Sequence, residues 1–346
     1  GHVTKMWALV YAPAMMGAIY MALRGRMLLG GALAALFAAL EIGANHPQIT
    51  YYFLLAAIAL WVNDLVFAVR EKHLRDFGRR TAVLAAAAVL AVGANFSSLF
   101  YTAQHTSDTI RGGSEVAATS DGAQQGLDLD YATAWSYGVA ESWNMLIPDF
   151  AGRDSGHSFS SNGEVAAVAN ELGLNGLAEQ LPTYWGGQPF TAGPTYLGAA
   201  ALFLAVLGLI LCEGRNRWWM VAITLLMLLL AWGRNLMGFT EIFFNYLPGY
   251  NKFRTVSMTL TVVQWIVPLM GALALGELIR TDRAKQLTLK SVAWAAGITG
   301  GLCLVMILLG GSLFSFGEQE ASELMTGYMR EIFAANNLQS YIDRGI

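Results

Sequence analysis

Two cations, Lys252 and Arg254, stand two residues apart at the end of the stretch Asn245-Tyr246-Leu247-Pro248-Gly249-Tyr250-Asn251-Lys252-Phe253-Arg254. An arginine grips phosphate with two parallel N–H donors and a lysine adds a point charge, so a pair framed by aromatic rings suits an anionic ligand such as a phosphate ester. After the Pro-Gly turn, an extended backbone would send both side chains to the same side. Contact with lipid headgroups is the plainer use of such cations. Lys5 is a third candidate, with His2 one helical turn away. It reads either as a snorkelling anchor or as another phosphate contact.

Other polar residues cluster where the chain must turn. Glu41, Asn45, His46 and Gln48 surround Pro47 and precede Tyr51-Tyr52. A capped helix corner accounts for Asn45 and Pro47, but not for a carboxyl group inside an apolar helix, where ionisable groups are costly and usually face a cavity or partner. Asp128 and Asp130 are paired acids that can do acid/base work or hold a divalent ion, although acids in a loop are commonly just solvated. Close by stand Trp135-Ser136-Tyr137-Gly138, Glu141-Ser142-Trp143 and Pro148-Asp149. Their aromatic rings suit interfacial belts, core packing or sugar stacking. Trp185 and Gln188 lie in Tyr184-Trp185-Gly186-Gly187-Gln188-Pro189, ahead of Gly193-Pro194-Thr195-Tyr196. Irregular backbone of this kind is tolerated near a membrane where it lines a cavity or is buried. Neither a nucleotide fingerprint nor a zinc spacing is present, so no cofactor is identified, and the acidic pair leaves a divalent metal open. Cys212 and Cys303 lie in or beside apolar runs and support neither a disulfide framework nor a metal site.

The elements that must position these residues are membrane spans. Hydrophobic residues make up 55% of the 346 positions and charged residues 13%. That charged share is about half the soluble average. The net charge of −3 argues against a nucleic-acid partner. Apolar runs of membrane length predict an all-α polytopic protein with about eight spans, at 6–23, 27–44, 49–69, 81–101, 195–212, 218–233, 257–279 and 291–312. In domain terms, 1–102 carries spans one to four and 103–193 forms a long extracytoplasmic loop segment. Residues 194–312 carry spans five to eight, with an interfacial segment at 236–256, and 313–346 form an extracytoplasmic tail. Within 236–247 the apolar residues recur at helical spacing, which predicts a short helix lying along the interface. If the spans alternate, one side collects 13 of the 21 basic residues and the other 17 of the 24 acids, which makes the basic side cytoplasmic.

Read in order, Gly1-His2-x-x-Lys5, Asn45-His46-x-Gln48-x-Thr50-Tyr51-Tyr52, Trp135-Ser136-Tyr137-Gly138, Pro148-Asp149, Gln188-Pro189-x-x-x-Gly193-Pro194-x-Tyr196 and Tyr250-Asn251-Lys252-Phe253-Arg254 resemble the YfhO family of bacterial membrane proteins, in the form found in Bacteroidota. The resemblance implies a GT-C-like bundle of transmembrane helices in the inner membrane, with the active site on extracytoplasmic loops. It also implies sugar transfer from a polyprenyl-phosphate-linked donor to a cell-envelope polymer or glycan acceptor. On that reading His2, Lys5, Glu41, Asn45, His46, Gln48, Trp185, Gln188, Lys252 and Arg254 bind substrate. The expected catalytic acid lies upstream of Gly1, so the catalytic residue is unknown here and the chain reads as a fragment without its N-terminal region. Two rivals stand beside this reading, a lipid or polymer flippase and a non-catalytic envelope assembly protein.

The charge segregation yields a direct test of sidedness. In a background with Cys212 and Cys303 replaced by serine, a membrane-impermeant thiol reagent added to intact cells should label His157→Cys and spare Arg75→Cys. The reverse pattern would invert the topology.

Overall fold

The computed structural model describes residues 3–106, 127–171, 173, 175–176, 178–179, 182–212, 214–280 and 285–314. Among them the structure is helical, with a single isolated bridge between Ser158 and Pro182 in place of any sheet. The first half holds α1 (Val3–Arg24), α2 (Met27–Gly43), α3 (Pro47–Arg70), α4 (Leu74–Ala94) and α5 (Phe96–Thr106), followed by two short pieces, α6 (Leu129–Ala132) and α7 (Glu164–Glu171). The second half holds α8 (Ala199–Leu211), α9 (Gly214–Ala231), α10 (Met237–Tyr246), α11 (Leu260–Arg280) and α12 (Lys285–Leu313). The chain forms two compact units, one of residues 1–137 and 200–296, the other of 138–199 and 297–346.

Among the described residues, five helical segments are long and apolar enough to cross a membrane: α1, α3, α4, Val256–Ile279 and Leu289–Leu313. Several such helices in one chain make this a multi-pass membrane protein. Of the eight expected spans, α2 and α8 come out short, with 17 and 13 residues. At 1.5 Å per residue they reach about 26 and 20 Å, below the ~30 Å of a bilayer core. Glycine sets the late start of α8, since Gly198 sits at φ +98° just before it. The fourth span is shifted as well. Its helix begins at Leu74, inside the basic stretch, and ends at Ala94, where the Asn95 side chain donates to the Ala39 and Ala91 carbonyls at 2.9 and 3.0 Å. The short helix anticipated at 236–247 is α10. It is bent 109° from α9 at Gly233, whose φ is +47°. Only together do α9 and α10 meet the length and hydropathy of a span, so the bend makes them a broken span or a re-entrant turn.

Small residues let these helices approach. A Cβ on Gly30 would overlap the Ala22 backbone, and one on Gly31 would overlap Val83, which places α2 tightly against α1 and α4. Ala18, Ala34 and Ala87 form the core of that contact. Close backbone approach through small side chains replaces the missing hydrophobic drive between helices in lipid.

The basic end of the first unit is tied by a buried carboxylate. Asp64, 1% exposed on α3, accepts from Arg24 Nε at 3.1 Å and from Arg215 Nε at 2.8 Å. Arg24 also donates to the Arg215 carbonyl at 2.9 Å and to Asn216, while Asn63 donates to the Arg215 carbonyl at 2.8 Å. One acid thus fastens α1, α3 and the start of α9. Removing one partner from a buried ion cluster leaves uncompensated charge, so Asp64→Ala should cost about 3–5 kcal/mol. Arg215 also meets Glu71 at 3.3 Å, in a more exposed pair. That contact should be worth less than about 1 kcal/mol. Thermal unfolding of Asp64→Ala and Glu71→Ala in detergent would compare them. Equal, small losses would show that the cluster carries no structural weight.

Candidate functional site

At the opposite end of the same unit, the chain leaves α2 and enters α3 through a sharp corner. Asn45 takes the left-handed conformation, φ +56°, and its N–H bonds the Ile42 carbonyl at 3.0 Å. Asparagine is one of the few residues that adopts this geometry readily. Pro47 then opens α3 at the first-turn position where proline is favoured. His46 caps the new helix, its Nδ1 accepting from the Ile49 N–H at 3.4 Å. That bond gives His46 a local structural duty alongside any contact with ligand.

Gln48 is the joint between this corner and the cationic stretch. Its side-chain amide donates to the Tyr52 hydroxyl at 2.9 Å and to the Arg254 carbonyl at 2.6 Å. Tyr51 donates to the Pro248 carbonyl at 2.9 Å, and the Phe253 ring packs on Tyr51 and Tyr52 at centroid distances of 5.1 and 6.4 Å. The 248–254 segment is therefore seated on the first turns of α3. Two special backbone positions shape it. Gly249 sits at φ +81° and Thr255 at φ +60°. The second is a region that β-branched residues seldom enter. Strain of this kind persists only where surroundings enforce it. Here the Thr255 N–H is held by the Ala132 carbonyl at 3.1 Å.

The cations do not lie on one extended strand as expected. Tyr250–Lys252 forms a 3-10 turn and the chain becomes extended only at Phe253, because the αL step at Gly249 starts a turn. Both cations are nonetheless exposed, on either side of the anchored Phe253. Arg254 donates to the Tyr131 hydroxyl at 2.6 Å and lies over that ring at 5.8 Å. Tyr250 is 2% exposed and its hydroxyl has no partner among the described residues. Burial, with Tyr52 and Tyr51 nearby, raises its phenol well above the usual range.

The remaining candidates divide. Glu41 is fully buried and takes a bond from the Thr50 hydroxyl at 3.0 Å. Lys5 is half-buried on the first turns of α1. His2 lies outside the described residues, and with it the His2–Lys5 pairing. Asp128 serves as N-cap of α6, accepting from the Tyr131 N–H at 3.0 Å. That cap gives the acid a structural task. Among the described residues no three metal-ligating side chains gather.

Trp185 and Gln188 belong to the other compact unit, where the acid that matters is one the paired-carboxylate reading passed over. Glu141, 3% exposed, accepts from the Gly187 N–H at 2.7 Å, the Gly138 N–H at 3.2 Å, the Gln188 side chain at 3.3 Å and the Tyr184 hydroxyl. The Gln188 N–H donates in turn to the Tyr184 oxygen at 2.9 Å. Trp185 is pinned through its N–H to the Ala151 carbonyl at 3.1 Å. Glycine permits the knot, since a Cβ at Gly186 would overlap both Glu141 and the Tyr184 hydroxyl. The sequence signal was a glutamate flanked at a distance by Gly138 and the Gly186-Gly187 pair, residues whose bare backbones can approach a carboxylate.

Scans against protein-family models, curated proteins and solved structures each return no match, so the geometry is read on its own chemistry.

The Glu141 knot carries a pH signature. Burial and the adjacent Glu141 carboxylate raise the Tyr184 phenol above its ordinary range. Its folded value exceeds the unfolded one near 10, so its contribution is complete below about pH 10 and is lost as pH rises beyond it. Tyr184→Phe should cost about 1.5–3 kcal/mol at neutral pH, the value of a bond to a charged acceptor. It should also flatten the fall in stability above about pH 10. Unfolding midpoints measured from about pH 7 to 11 would show this, and parallel curves for the two proteins would refute it.

Proposed function

We propose that this protein is a GT-C-like membrane glycosyltransferase of the YfhO type, moving a sugar from a polyprenyl-phosphate-linked donor to a cell-envelope acceptor at the extracytoplasmic face of the bacterial inner membrane. The observation that supports it best is the seat of Phe253 on Tyr51 and Tyr52, with the Gln48–Arg254 bond beside it. It presents two exposed cations at fixed positions at the end of the bundle away from the Asp64 cluster.

In this reading Lys252 and Arg254 stabilise the phosphate that leaves as the anomeric carbon is attacked, the kind of charge stabilisation that contributes most in a preorganised, water-poor site. Tyr131 orients the Arg254 guanidinium through its hydroxyl. The reaction also calls for a carboxylate to deprotonate the acceptor hydroxyl. The eight-span count belongs to the same reading, with α2, α8 and the α9–α10 pair completing the bundle around the five longer segments. Lys5, Asn45 and His46 are further substrate contacts in this scheme.

Arg254→Lys keeps the charge but loses the fork that matches phosphate and the geometry over Tyr131. In the full-length protein it should reduce sugar transfer roughly a hundredfold or more, corresponding to about 2–4 kcal/mol in the transition state, with expression and membrane insertion intact. Lysine snorkels as well as arginine, so a pure headgroup anchor would tolerate the change. Transfer of a labelled polyprenyl-phosphate sugar at near wild-type rate would end the phosphate-clamp assignment.

A further inference from the structure

A cavity of about 660 Å³ opens inside the first unit, between α1, α2, α3, α4 and α5. That volume falls in the range of roughly 300–1,000 Å³ typical of ligand pockets. Its depth is hydrocarbon, with Met15, Ala34, Trp61 and Leu84 among the lining residues. Leu54 and Ile58 on α3 and Val92 on α4 line it and are about half exposed, so it opens sideways along apolar helix surfaces that face lipid. Polar groups line its end near the 44–47 corner, Glu41 and Thr50 among them.

Glu41 is the telling residue. It is fully buried, and the Thr50 hydroxyl satisfies one carboxyl oxygen, Oε1, at 3.0 Å. The other, Oε2, is buried with no partner among the described residues. An orphaned buried polar atom costs about 1–3 kcal/mol and asks for a partner. Among the described residues none of the polar side chains that line this end of the cavity, Asn45, Tyr51 and Ser98 included, donates to it, so a donor carried by the cavity's occupant is the group that would complete it. A carboxyl oxygen accepts hydrogen bonds in either protonation state. The matching group is therefore a donor, and a phosphate, which brings acceptors and negative charge, is a poor complement.

We propose that this cavity binds a single-chain lipid with a hydroxyl-bearing neutral head, its hydrocarbon lying between α1, α3 and α4 and its hydroxyl donating to Glu41 Oε2. The cavity adjoins the phosphate contact assigned to Lys252 and Arg254, since Tyr51 and Phe253 line it, but the lipid assignment does not depend on that contact. A monoacylglycerol and a neutral glycolipid share this chemistry.

The test uses the full-length, delipidated protein in amphipol and radiolabelled 1-monopalmitoylglycerol. Wild type should retain about one equivalent saturably. Methyl palmitate, with the same chain and no hydroxyl, should compete roughly tenfold less well than unlabelled monopalmitoylglycerol, the loss of about one hydrogen bond. A neutral glycolipid of equal chain length should compete as well as the glycerolipid if the hydroxyl alone is read. If it competes roughly tenfold less well, the glycerol source is selected and the proposal stands for that head. Geranylgeranyl phosphate should displace little. Glu41→Leu should weaken retention by a similar factor of about ten, and Ala88→Phe, which fills the cavity from its exposed wall, should abolish it. Equal competition by methyl palmitate, displacement by geranylgeranyl phosphate, or unsaturable uptake typical of bulk membrane lipid would each overturn the proposal. The competition series on wild type decides the question even if Glu41→Leu fails to fold.

Discussion

A single side-chain amide holds the candidate site together. Gln48 sits in the first turn of α3, nearly buried, and spends both of its N–H donors, one on Tyr52 and one on the carbonyl of Arg254. With the Gln48 side chain buried, a carbonyl or amide left there without its partner would cost more than the bond it replaces. That constraint converts a loop into a fixed platform. The Tyr51 hydroxyl and the Phe253 ring add contacts in the same direction, and Thr255 accepts an unfavourable backbone geometry within the result.

The two ends of the first unit solve opposite problems. At the basic end, charge is neutralised internally, with Asp64 taking both Arg24 and Arg215, so those arginines are committed to joining helices. At the other end Lys252 and Arg254 meet no carboxylate among the described residues, and Arg254 instead meets the hydroxyl and ring of Tyr131. Cations at a membrane surface without an acidic partner are available to an external anion. Glu41 shows the converse situation, an acid lining a largely apolar cavity with one carboxyl oxygen unpartnered among the described residues.

How much of this was legible in the sequence follows from what each signal measures. Hydropathy reports burial from water over some twenty residues, so it located the helices, and helical spacing of Phe239, Ile242, Phe243 and Tyr246 located α10. It could not report where a helix breaks inside an apolar run. The ends of α4 and α8 were set by the Asn95 side chain and by Gly198, single residues with local bonding or backbone demands. The Asn45–Gln48 corner was readable because asparagine and proline carry their turn geometry with them. That Gln48 reaches Arg254, 206 positions away, was not, since a long-range bond leaves no trace in composition or period. Glu141 was missed for a related reason. Two acids close in sequence drew attention to Asp128 and Asp130, whereas the buried acid draws partners from Gly187 and Gln188, far along the chain.

The most direct measurement is a cryo-electron microscopy structure of the full-length protein in lipid nanodiscs with a short prenyl phosphate bound. The account places the phosphate against Lys252 and Arg254, with Gln48 still donating to the Arg254 carbonyl. A phosphate bound elsewhere, with both cations turned to bulk lipid headgroups, would contradict it.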